Sequence, residues 1–112
     1  MEQNVQRLME WLEAQPEASL VIEKQELDDL DTVHFNLNSV DYRNADDVID
    51  EYLSSALILR GSGSTLNADG ELVPLPQPSY EIAVNGLKVI ALAEDHVELQ
   101  TDRAKYSLVL RG

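Results

Sequence analysis

Val5, Leu8, Met9 and Leu12 recur at i, i+3, i+4 and i+7, with Trp11 beside them and Glu2, Arg7, Glu10 and Glu13 off the stripe. This spacing predicts an amphipathic helix over residues 2–14. Pro16 lacks a backbone donor and clashes with the preceding turn, so the helix must stop near Ala14. From Ser19 the period shortens to two. The stretches "SLVIEKQEL" and "TVHFNLNSVDY" set Val33, Phe35 and Leu37 on one face and Thr32, His34, Asn36 and Asn38 on the other. With "DDLD" read as the turn between them, residues 19–42 are predicted to form an antiparallel hairpin.

Helical spacing returns in "NADDVIDEYLSSA", where Val48, Ile49, Tyr52 and Leu53 share one side. Asp46, Asp47, Asp50 and Glu51 fall near its start, where the helix dipole favours acids, so a short helix is predicted over residues 45–54. Next come a strand "ALILRGSGST", a turn at "NADG" and a strand "ELVPL". The segments "SYEIAV" and "LKVIAL" flank Asn85-Gly86, a strong hairpin signal. Two further period-two runs follow, "VELQT" and "KYSLVLRG". The last four runs read as a meander, and residues 56–111 as a C-terminal antiparallel sheet. The fold class is α+β: a single domain over residues 1–112, with an antiparallel meander-like sheet of six to eight strands and one or two helices packed on one face. Ile58 and Leu59, or Ile90 and Leu92, break phase with their neighbours, which predicts a strand buried on both faces.

Charge alters the picture more than composition does. The chain of 112 residues carries 21 acids and 8 bases, a net charge of −13. Up to Ala56 there are 14 acids and 3 bases, net −11; beyond it there are 7 and 5, net −2. Such a field repels phosphate backbones and anionic lipid, which disfavours nucleic acid and membrane as partners, and it attracts a basic protein surface. The chain has no cysteine, hence no disulfide, thiolate metal site or cysteine nucleophile. No apolar run has the length of a secretory signal or approaches the roughly 20 residues of a membrane span. The expectation is a cytoplasmic protein.

The stretch from Arg60 to Ser79, "RGSGSTLNADGELVPLPQPS", resembles a functional loop, yet each chemistry lacks a part. A phosphate loop needs a lysine and a following helix, and only Gly61 and Gly63 are supplied. Two glycines within a strand instead mark a bulge or a close backbone approach. Asn67, Asp69 and Gly70 imitate the middle of a calcium loop, but Thr65 and Pro76 stand where its acids belong. Pro74, Pro76 and Pro78 alternate, which suits a stiffened edge strand better than a proline-rich ligand. Cofactors are therefore expected to be none.

His34 and His96 lie far apart in sequence, no G-x-S-x-G elbow surrounds any serine, and a catalytic role is not expected. Asp28, Asp29 and Asp31 crowd one turn, and Asp46, Asp47, Asp50 and Glu51 one helix start. Unfixed surface acids hold hard cations weakly, so these seven residues are assigned to partner binding rather than to a metal. The function indicated is a small, acidic, non-catalytic interaction protein of inhibitor or immunity type that docks a basic partner. The alternative is a small ligand-binding or enzymatic domain with a pocket between helix and sheet, using His34 and nearby acids. Pairing at sheet edges would add a homodimer.

Overall fold

The computed structural model describes residues 3–14, 17–43 and 55–111. Among them is one helix, α1 (Gln3–Glu13), followed by eight strands: β1 (Ser19–Glu26), β2 (Asp29–Arg43), β3 (Ala56–Leu66), β4 (Leu72–Pro74), β5 (Ser79–Ala83), β6 (Lys88–Leu92), β7 (His96–Gln100) and β8 (Lys105–Arg111). All belong to one antiparallel sheet of order β4-β3-β2-β1-β8-β7-β6, and β5 also pairs with β3. β4 lies against Ser64–Leu66 and β5 against Ala56–Arg60, so the two share one edge of β3. The alternate prolines fall at and after the end of β4, where an edge strand needs no donor. The helix predicted over residues 45–54 lies outside the described residues.

Two readings of the strands need correction. The β1–β2 turn is Leu27–Asp28 rather than "DDLD", because Glu26 already pairs with Asp29 and the ladder continues through Lys24 and Asp31. The second concerns Asn85-Gly86, which does form a tight turn: Gly86 has φ +70° and the Leu87 N–H bonds the Val84 carbonyl at 3.2 Å. The strands on either side do not pair with each other. β5 joins β3 and β6 joins β7, at opposite edges of the sheet. Six inter-strand steps would separate those edges by about 29 Å if the sheet were flat. The few residues from Ala83 to Lys88 reach at most about 17 Å. The sheet must therefore curl enough to bring the end of β5 within that reach of the start of β6, and Val84 and Leu87 are buried in the connection.

A bulge supplies part of the curl. Between Leu37 and Ser39 the register of β2 against β3 slips by one residue at Asn38. Before it Val33, Phe35 and Leu37 are buried; after it Val40 and Tyr42 face the core, so the inward phase passes from odd to even numbers. Gly61 stands opposite Leu37 at the bulge, and Gly63 opposite Phe35. A Cβ on Gly61 would fall 1.9 Å from the Asn36 carbonyl oxygen, and one on Gly63 would fall 2.6 Å from Phe35 Cδ1. The two glycines of the loop-like stretch thus mark a close backbone approach in a strand, as their context predicted.

Inside the curl lie Leu20, Ile22, Phe35, Leu57, Leu59, Ile82, Val97, Leu99 and Leu108, together with Val5, Leu8, Trp11 and Leu12 of α1. Asn4 and Trp11 tie the helix to the β6–β7 region: Asn4 Oδ1 accepts from the Val89 N–H at 3.2 Å, and Trp11 Nε1 donates to the Ala93 carbonyl at 2.8 Å. Ile90 and Leu92 are exposed on β6, with a second register slip between Val89 and Ala91, so this strand is not buried on both faces.

Candidate functional site

Two places concentrate chemistry. The first is the β1–β2 tip, a two-residue loop. Favoured loops of this length need positive φ, which Asn and Gly adopt without penalty. Here Leu27 takes φ +56° and is 92% exposed. Asp28 completes the turn, and Asp29 and Leu30 open β2, all exposed. The three turn acids predicted to act together are split. Asp28 is at the tip, whereas Asp29 and Asp31 share the phase of Val33 at the exposed start of β2, with Asp31 in register opposite Lys24. Asp46, Asp47, Asp50 and Glu51 lie outside the described residues. Among the described residues no group of three His, Asp or Glu stands close enough to hold a metal ion.

The second place is inside the curl. Bent at the bulge, the far arm of β2 and β3, with β5 beside it, folds over β1 and β8. Lys24 continues the inward phase of Leu20 and Ile22, and its Nζ lies 6.0 Å from the centroid of the Tyr106 ring, a cation–π distance. Arg43 grips Glu81 through two hydrogen bonds, at 3.0 and 3.4 Å, and Arg103 stands 3.8 Å from Glu26. Lys24, Arg43, Glu81, Arg103 and Tyr106 line one cleft of about 160 Å³. An adjoining cleft of about 290 Å³ shares Lys24 and Glu81 and adds Leu75, Pro76 and Tyr80.

Burial pushes both tyrosine hydroxyls above their ordinary range. For Tyr80 the neighbouring Tyr106 and Asp31 add to the effect; for Tyr106, Glu26 adds and Arg103 opposes. Both phenols remain protonated donors at neutral pH. A group whose pKa is higher folded than unfolded contributes stability that is complete below its unfolded value, about 10 for tyrosine, and is lost as pH rises past it. Urea midpoints should therefore hold steady to about pH 10 and then fall, and Tyr80→Phe should flatten that fall. An unchanged alkaline slope in the variant would contradict this placement of Tyr80.

The histidines do not enter either place. His34 is on the outward phase of β2, where Arg111 Nη1 donates to its Nδ1 at 3.2 Å. Because arginine only donates, Nδ1 is the acceptor in this contact. His96 Nδ1 meets Asp95 Oδ1 at 3.1 Å on the exposed surface, and this hydrogen bond holds the Asp95 carboxyl below its usual range. The expected pocket between helix and sheet built on His34 is therefore corrected: His34 lines a groove on the opposite face, with Ser62 and Ser64 of β3 and Arg111 of β8. Lys24, Tyr80 and Tyr106 were missed as chemistry because each occupies an apolar phase. A charge at the third inward position after Leu20 and Ile22 was the available signal.

Residues 1–111 match the model of the YmzB-like protein family, and the chain belongs to that family. It is 34% identical over 108 residues to a Bacillus subtilis (strain 168) protein named "Uncharacterized protein YmzB", with 91% of each chain covered. No solved structure matches it at a significant level. Neither similarity assigns an activity.

Proposed function

We propose that the protein is a non-catalytic cytoplasmic docking module whose β1–β2 tip engages a basic partner protein that carries an apolar pocket. The observation that carries this reading is Leu27. A leucine with left-handed backbone costs about 1–2 kcal/mol relative to glycine, and its side chain here recovers none of that by burial, being 92% exposed. Local strain that the fold does not need is what a binding tip retains. Leu27 and Leu30 serve as apolar anchors, and the neighbouring carboxylates of Asp28 and Asp29 steer a cationic surface toward them.

The test separates stability from binding. Leu27→Gly should raise stability by about 1 kcal/mol in urea unfolding, since the backbone strain is relieved. The same variant should lose the protein that the wild type captures from extract of the source cell at low salt. Asp28→Asn with Asp29→Asn should keep the anchor but flatten the salt dependence of capture. If Leu27→Gly captures the same proteins as the wild type, the tip is not a docking site.

A further inference from the structure

We propose that the pair of clefts between the two arms of the curled sheet binds a small organic anion, its oxyanion head between Lys24, Arg103 and Tyr106 and its apolar body along Tyr80, Leu75 and Pro76. This goes beyond the docking reading and does not depend on it. The chain has only 8 Lys and Arg in all, yet Lys24, Arg43 and Arg103 line the same cleft of about 160 Å³. Among its described lining residues the one acid is Glu81, which Arg43 holds at 3.0 Å. In a protein of net charge −13, a chance gathering of three cations around one cavity is a poor explanation.

Arg43 is held by Glu81 and Arg103 stands 3.8 Å from Glu26, but the other donors there have no acceptor among the described residues. Among the described residues Lys24 has the Tyr106 ring as its contact and no ion pair: Asp31 is opposite it in register without approaching it as a salt bridge would. Neither the Tyr80 nor the Tyr106 hydroxyl has a hydrogen-bond partner among the described residues. No buried side-chain polar atom among the described residues lacks a partner, so these donors reach the solvent of the cleft, and an oxyanion there satisfies an ammonium, a guanidinium and a phenol together. The second cleft extends the site with Leu75, Pro76 and the Tyr80 ring, the mixture of apolar wall and few polar groups typical of a small-molecule pocket. The nearby acids Glu26 and Asp31 limit the charge the site accepts, which favours one anionic group over a polyanion.

Amide and side-chain NMR titration of the full chain at constant ionic strength tests this with four probes: benzoate, phenyl phosphate, inorganic phosphate and neutral benzyl alcohol. Saturable shifts with benzoate or phenyl phosphate at Lys24, Tyr80, Glu81 and Tyr106, absent with benzyl alcohol, are expected; which of the two binds more tightly identifies the head as carboxylate or phosphate. Inorganic phosphate should bind more weakly because it leaves the second cleft empty. Lys24→Met should weaken binding about tenfold or more, while Lys88→Met, on exposed β6, should leave it unchanged. Non-saturating shifts spread over surface cations, or equal binding by a folded Lys24→Met protein, would overturn the assignment.

Discussion

Gly61→Ala is expected to destabilise the protein by more than about 3 kcal/mol, among the largest effects available to one added methyl group. The new Cβ would sit 1.9 Å from the Asn36 carbonyl oxygen, with the Asn36 carbonyl carbon at 3.1 Å and the Asn38 nitrogen at 3.2 Å. All three are backbone atoms on the strand that carries the bulge. They cannot move aside without breaking the β2–β3 ladder, which runs on both sides of the slip from Val33 to Arg43. A domain of this size has a total stability of about 5–15 kcal/mol, so the variant should lose a large share of it, and the urea midpoint reports the loss. Gly70→Ala is the comparison: its φ is +80° but nothing lies within 4 Å of its Cβ. Backbone strain alone, about 1–2 kcal/mol, should then be its whole cost. A Gly61→Ala protein no less stable than Gly70→Ala would mean that β3 does not approach β2 as described.

Gly61 also shows how much of the structure could be read locally. Two glycines in a strand pointed to a bulge or a close approach, because few other reasons put residues without side chains into an extended apolar run. The helix at Gln3–Glu13 and the period-two strands were legible for the same reason: their signals lie within a dozen residues. What escaped was pairing. Asn85-Gly86 specifies a chain reversal, but which strand lies beside β5 is decided by β3, whose paired residues run from Ala56 opposite Ala83 to Arg60 opposite Ser79. The "DDLD" turn was misplaced because nothing in composition makes leucine at position 27 a turn residue; only the Glu26–Asp29 pairing does. The clefts were hidden for a third reason. Lys24 and Arg43 come together across a bend that the bulge and Gly61 create jointly, and no periodicity in one segment encodes it.

Phe35 is where that bend meets the core, and Phe35→Ala should cost about 3–5 kcal/mol. The ring is among the largest fully buried side chains, at 1% exposure, and lies 6.5 Å from the Tyr80 ring at a tilted 55°. Its removal opens a cavity and withdraws an aromatic contact worth about 0.5–1.5 kcal/mol beyond area. The ring also explains Gly63, whose absent Cβ would lie 2.6 Å from Phe35 Cδ1 and 2.9 Å from Leu75 Cδ1. These are side-chain atoms and can yield, so Gly63→Ala alone should cost about 1–3 kcal/mol, less than Gly61→Ala. The two sites must couple if the glycine exists to admit the ring. In a double-mutant cycle, Gly63→Ala on the Phe35→Ala background should cost at least about 1 kcal/mol less than on the wild type, because the added methyl then enters space the ring has left. Additive costs, within about 0.5 kcal/mol, would show that Gly63 answers to Leu75 Cδ1 at 2.9 Å and the His34 carbonyl oxygen at 3.1 Å rather than to Phe35.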